Sequence, residues 1–321
     1  MKQIFLTMIC AVALCCSCSD DDGDKNKNYQ AANFISDNLS KARQTFTLDV
    51  SSDPKELTLT NGVKLTIPGG DVFTKNNTPI TGKYTVEILS MLKPSEMILA
   101  GCNTNYRGGY YLESDGFFHV KVLKDGASVD QNTLDFLTIS IPTDKADGNF
   151  TQIWEGDVVD DEFAWQEPTE EAINWNLGAD FGMVNAFGNN FSFSFKKLGW
   201  FNCDVFWNTG NNTTVTVSLT GRVGALASYQ GYSGDTFVFF KGKGINVIAQ
   251  LYTMIDNTTV QSYEDSMPIG AEGTLIAFSI KDGEYALASR EITITANLQE
   301  SIELLPSTKA AVMAALEALD R

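Results

Sequence analysis

The chain reads as mainly β: two antiparallel β-sandwich-like domains with a short C-terminal helix. Three observations predict this. From Phe46 onward apolar residues recur at every second position, in Phe46-Leu48-Val50, Val63-Leu65-Ile67, Tyr84-Val86-Ile88, Phe118-Val120-Val122 and Phe191-Phe193-Phe195, the period of a half-buried strand. Turn residues punctuate the runs at Asn61-Gly62, Pro68-Gly69-Gly70, Asn76-Asn77 before Pro79, Asp115-Gly116 and Asp125-Gly126, as in an antiparallel sandwich. A helical period comes last, where Val312, Met313, Leu316 and Leu319 line one face behind Ser307 or Thr308, either of which can cap a helix.

The elements follow in order. Lys2 precedes an apolar run from Ile4 to Leu14. That run is too short to span a bilayer and reads as a secretory signal, residues 1–17. It ends in cysteines, and Cys18 follows a small residue, Ser17, as the acylated cysteine of a bacterial lipoprotein does. Cys18 is therefore the expected lipidation site, with Cys16 the alternative. Two or more palmitate-type acyl chains suffice for stable anchoring. Residues 18–44 form the tether. Asp20, Asp21, Asp22 and Asp24 make it acidic and flexible, and 25–44 read as a short helix or a loose segment.

Residues 45–210 form the first β-domain. Its acidic, aromatic stretch from Trp154 to Trp175 has no clean period and is read as hairpins plus a loop. Trp200, Cys203, Phe206 and Trp207 are read as core. The Asn-rich TGNNTT marks a boundary near 210, and residues 211–321 form the second β-domain with the terminal helix. Within it Val215 to Leu219, Phe237 to Phe240 and Val247 to Leu251 read as strands. Leu275 to Ile280 and Tyr285 to Ile294 flank Asp282-Gly283, a type I′ hairpin turn. The helix is expected to pack on this second domain.

Composition bounds function. The 321 residues are 43% hydrophobic and 20% charged, which suits a folded chain long enough for two domains. Asp and Glu number 40 against 23 Lys and Arg, for a net charge of -17. Such a field repels nucleic acid and anionic headgroups; the expected partners are the membrane, through the lipid anchor, and a glycan or envelope protein.

Several segments together resemble a known group. Ile67-Pro68, Pro79-Ile80-Thr81-Gly82, Met97-Ile98, Leu112-Glu113-Ser114-Asp115-Gly116 and Trp200-Phe201-Asn202-Cys203-Asp204 resemble an uncharacterised family of Bacteroidetes surface lipoproteins. The resemblance runs from about residue 45 to the C-terminus. It implies a secreted, lipid-anchored, β-rich protein, and brings no catalytic residues with it; the acidic run after Cys18 also resembles that of Bacteroidetes lipoproteins exported to the outer face of the outer membrane. The Ile-Pro and Pro-x-Thr-Gly pattern also resembles ZU5-like β-sandwiches, which are interaction modules.

Candidate chemistry is sparse, and no cofactor or metal is expected. His119 is the only histidine, which excludes a multi-histidine zinc site; it shares a strand face with Phe117 and Lys121. Cys102 and Cys203 either form a disulfide or remain two buried thiols. Glu155, Asp157, Asp160, Asp161, Glu162, Glu167, Glu170 and Glu171 supply the carboxylates a glycosidase would need, without the spacing of a calcium loop. Trp154, Trp165 and Trp175 are candidates for stacking on sugar. Asp180-Phe181-Gly182 has no kinase context. Asp265-Ser266-Met267 matches a short O-glycosylation pattern at Ser266. The expected function is a non-enzymatic binding or structural module on the cell surface; the alternative is a glycoside hydrolase using carboxylates in 155–171.

Overall fold

The period-two runs are realised as sheets, with 54% strand against 12% helix among the described residues. The computed structural model describes residues 28–143, 152–159, 162–168, 185–187, 190–207, 210–227 and 234–321. Cys18, the tether aspartates, Asp160, Asp161, Glu170, Glu171, Trp175 and Asp180-Phe181-Gly182 lie outside them.

Helix α1 (Ala31–Ala42) precedes strands β1 (Gln44–Asp49), β2 (Lys55–Thr58), β3 (Lys64–Ile67), β4 (Thr74–Lys75), β5 (Thr78–Pro79) and β6 (Lys83–Met91). Helix α2 (Pro94–Leu99) leads into β7 (Asn105–Tyr106), β8 (Tyr110–Lys124), β9 (Ala127–Ser128), β10 (Asn132–Pro142), β11 (Gln152–Val159) and β12 (Glu162–Gln166). Then come β13 (Asn185–Phe187), β14 (Asn190–Lys197) and β15 (Gly199–Phe206). One sheet runs β1-β6-β8-β15-β11-β12-β7, and β7 pairs back onto β8, so part of the sheet closes on itself. The other runs β13-β14-β10-β3-β2. Val86, Ile88 and Val120 of the first sheet meet Leu65, Ile139 and Phe193 of the second in one apolar core, so alternation along each strand is alternation between core and surface.

The later strands are β16 (Asn212–Thr213), β17 (Thr216–Gly221), β18 (Thr236–Gly242), β19 (Ile248–Gln250), β20 (Thr253–Met254) and β21 (Thr259–Gln261). They continue with β22 (Met267–Pro268), β23 (Glu272–Lys281), β24 (Glu284–Thr293) and β25 (Gln299–Ser307), and end in α3 (Lys309–Glu317). Eight of them pair in the order β19-β18-β23-β24-β25-β17-β21-β20. Strand β25 runs parallel to β17 from Gln299 to Leu304 and joins β24 only afterwards, at Leu305 to Ser307. The sheet thereby encloses its own core of Val217, Leu219, Val238, Phe240, Ala277 and Ile302. The turn at Asp282-Gly283 has both residues at positive φ, 51° and 76°, between paired Lys281 and Glu284, the geometry its sequence predicts.

A third apolar cluster joins the two sets of strands. Phe34 of α1, Met97 of α2, Trp154 of β11, Phe237 of β18, Phe278 of β23 and Val312 of α3 all belong to it. Segment 25–44, read as helix or loose, thus contributes a helix, because Phe34 and Ile35 have apolar surface to meet. Thr308 caps α3 by accepting from the Ala311 N–H at 3.2 Å, a bond worth about 1 kcal/mol. The apolar face of α3 packs beyond the expected second set of strands. Just after the helix, Asp320 accepts from the backbone N–H and hydroxyl of Ser95 in α2, at 2.9 and 2.8 Å.

Candidate functional site

Two segments of the resemblance come together. Strand β15 pairs with β8 so that Cys203 lies opposite Gly116 and Asp204 opposite Ser114, leaving Asp115 as an extra residue. This is a β-bulge, a feature that re-aims side chains. Gly116 makes it possible: its φ is +151°, and a Cβ there would sit 2.7 Å from Leu92 Cδ2. The bulge gathers polar groups in the interior. Ser114 Oγ donates to Asn202 Oδ1 at 2.9 Å and accepts from the Gly116 N–H at 3.0 Å. The Asn202 amide donates to Asp204 Oδ2, and Trp154 Nε1 donates to the Asp204 carbonyl at 3.1 Å. Burial pushes the Asp204 carboxyl well above its ordinary range, and nearby Asp115 and Glu113 push the same way, against the bond from Asn202. Its Oδ1 is buried without a hydrogen-bond partner. Burial therefore favours the protonated form of Asp204.

A second polar cluster lies between the two sets of strands. Asn103, Thr104 and Asn105 are fully buried, and Gln250 nearly so. Asn105 Nδ2 donates to the Gln250 carbonyl and its Oδ1 accepts from the Gln250 N–H, both at 3.0 Å. The Thr104 N–H donates to the Ile248 carbonyl at 2.9 Å, and Thr104 Oγ1 accepts from the Ile248 N–H at 3.0 Å. Asn103 Nδ2 donates to Gln250 Oε1 at 2.8 Å. The Ser114 N–H, at the bulge, donates to the Asn246 carbonyl at 3.0 Å. Burying a polar group without a partner is costly; here the bonds tie β19 to the first set of strands and leave Gln250 Nε2 without one. These residues were not singled out in the sequence. The polar triplet Asn103-Thr104-Asn105, wedged between an apolar helix and an aromatic strand, is the signal that could have found them.

The sequence-predicted site residues fare differently. Trp154 and Trp165 are 1% and 0% exposed, so neither offers a face to a sugar. They fill the third cluster, and Trp165 Nε1 donates to the Asn103 carbonyl at 2.7 Å. Cys102 and Cys203 are free thiols. They belong to different apolar clusters, so the disulfide is not formed. Burial pushes the Cys102 thiol up to about 12 and Cys203 well above its usual value. Ser266 is 1% exposed and its hydroxyl donates to the Tyr263 carbonyl at 2.7 Å, so the folded chain does not present it for glycosylation. Glu155 is buried and pairs with Lys197. His119 packs on Trp200 with ring centroids 4.7 Å apart, and burial, with Arg43 and Lys121 nearby, lowers its pKa to about 4.

Phe206, read as core, is 44% exposed at the last residue of β15. It touches Tyr106, half-buried, and Tyr110, 42% exposed, at centroid distances of 5.1 and 6.1 Å. Beneath them lies Trp154, 5.0 Å from Phe206 and 5.1 Å from Tyr106. Elsewhere a cleft of about 260 Å³ opens beside Arg222, Lys281 and Tyr285, and Arg222 is paired with Glu284 at 3.1 Å.

Compared with known protein families, curated proteins and solved structures, the chain has no match.

Proposed function

We propose that the chain is a lipid-anchored protein of the outer membrane, facing outward, and that its β-rich body is a non-enzymatic binding or structural module. The anchor half of this reading rests on the signal, the Ser17-Cys18 junction and the acidic run after it. The resemblance to Bacteroidetes surface lipoproteins points the same way. What favours a module over a hydrolase is how the reactive groups are used. Glu155, first of the carboxylates considered for glycoside hydrolysis, is buried against Lys197. His119 is held neutral beside Trp200, and Asp204 is locked inside the bulge. A hydrolase needs two carboxylates facing each other across an open cleft.

A glycan array run beside a hydrolysis assay tests the body: binding without turnover is expected, and turnover abolished by a single Asp or Glu substitution would restore the hydrolase. For the anchor, Cys18→Ser should abolish lipid labelling and release the chain from the membrane fraction. Persistent labelling would move the acylated residue to Cys16. Replacing Asp20, Asp21 and Asp22 with Ala should reduce digestion of whole cells by external protease; unchanged digestion would refute an export role for the acidic run.

A further inference from the structure

We propose that Tyr106, Tyr110 and Phe206 form a platform for the apolar face of a neutral sugar ring; this rests on the binding-module reading above. Six large apolar side chains are exposed among the described residues. The two aromatic ones, Tyr110 and Phe206, are in contact with each other. Contiguous exposed apolar patches mark interaction sites, and a tyrosine ring suits one because its body is apolar and its hydroxyl wet. The rings meet edge to face, at 84° for Tyr106–Phe206 and 77° for Tyr110–Phe206, and rest on buried Trp154. They form a stepped, rigid shelf.

The backbone holds that shelf in place. Tyr106 and Tyr110 are paired across a tight hairpin, and the Tyr106 ring lies against Gly108, where a Cβ would come within 2.4 Å of its Cε1. The Arg107 N–H donates to the Trp165 carbonyl at 2.9 Å, fixing the hairpin to β12.

Polar groups beside the shelf suit hydroxyls. Arg107 Nη1 donates to Gln166 Oε1 at 2.5 Å, and Glu167 is exposed next in the chain. Planar forked groups of this kind bind neighbouring hydroxyls through paired hydrogen bonds. Charge disfavours an acidic ligand. Burial and then the Glu167 carboxylate raise the Tyr106 phenol, and the whole chain carries -17. Size disfavours a protein partner, since three rings fall far short of the roughly 800 Å² per partner of a standard interface.

The test uses the full chain in detergent. Probes are neutral gluco- and manno-oligosaccharides, an acidic oligogalacturonate and a proline-rich peptide, read by calorimetry. A neutral oligosaccharide should bind, and Phe206→Ala and Tyr110→Ala should each weaken it by about tenfold or more, while both variants keep a cooperative unfolding transition. If no neutral saccharide binds, the platform is refuted. Binding unaffected by both substitutions would refute the platform and leave the binding-module reading standing. Phe206-dependent binding of only the acidic saccharide or the peptide would overturn the sugar assignment. Phe206-dependent binding followed by turnover would support the platform while refuting the non-enzymatic reading.

Discussion

Asn105 stands in for a strand residue against Gln250: its carboxamide both donates to and accepts from the Gln250 backbone, at 3.0 Å each way. Among the described residues, no strand up to β15 pairs with one from β16 onward. This side chain and its neighbours Asn103 and Thr104 therefore carry the hydrogen bonding that β pairing would otherwise supply. Asn105→Leu should leave a buried N–H and a buried C=O unbonded, at about 1–3 kcal/mol each. Urea unfolding should show a loss of roughly 2–6 kcal/mol; a loss within about 0.5 kcal/mol, the scatter of surface substitutions, would show that water replaces the amide.

His119 makes stability depend on acid. Its pKa is about 4 in the fold against 6.5 ordinarily, so the unfolded chain takes up a proton first as pH falls. The contribution of neutral His119 is complete above pH 6.5 and is lost on descending to about 4, an effect of about 3 kcal/mol. His119→Phe should flatten the stability profile across that window. An unchanged slope would mean that the ring titrates normally.

Asp204 acts with the opposite sign. Its carboxyl is raised in the fold, so ionisation is harder there than in the unfolded chain. This group subtracts stability as pH rises from the ordinary carboxylate range toward its raised value. Asp204→Asn keeps an acceptor for the Asn202 amide and cannot ionise. The variant should match or exceed the parent at pH 8 and lose that part of the pH dependence. Marked destabilisation at pH 8 would show that the charged form is the one the bulge holds.

The two buried thiols should resist alkylation in the native chain, since both are fully buried with raised pKa. In denaturant without reductant, peptide mapping should find Cys102 and Cys203 both labelled. Labelling that requires reductant would mean that they are disulfide-bonded.

Asp130 secures the Asn76-Asn77 turn, whose residues sit at φ 53° and 59°. Its carboxylate accepts from Thr74 Oγ1 at 2.7 Å and from the backbone N–H of Asn76 and Asn77 at 3.0 and 2.7 Å. These bonds lower its pKa, so the stabilisation is present above the ordinary carboxylate range and fades on acidification. Asp130→Ala should speed amide exchange at Asn76 and Asn77 at pH 7; unchanged exchange there would show that the turn holds itself.

Local rules made much of the fold legible. Alternation placed β1, β3, β6, β14 and β17, because a half-buried strand must present one face to a core. Positive-φ turn residues located the hairpin at 282–283, and Thr308 marked the start of α3. Strand β10 and helix α2 escaped notice. Strand β10 has its clean alternation only in Leu137-Ile139-Ile141, and α2, six residues long, is too short to show a helical period. The candidate site was legible only in part. The segments around Ser114 and Asp204 stood out, but not that they meet across a bulge.

By itself the sequence determined the β class, most of the turns (Asp115-Gly116 is a bulge inside β8 instead) and the expectation of an anchored, acidic chain, all of which depend on residues close together along the chain. Tertiary structure alone decided which polar and aromatic groups are buried. Trp154, Trp165 and Ser266 lie inside, while Phe206 and Tyr110 lie outside. The reason is that burial depends on what packs against a strand from distant sequence. Asn105 and Gln250, 145 residues apart, acquire their roles only when β7 and β19 come into contact.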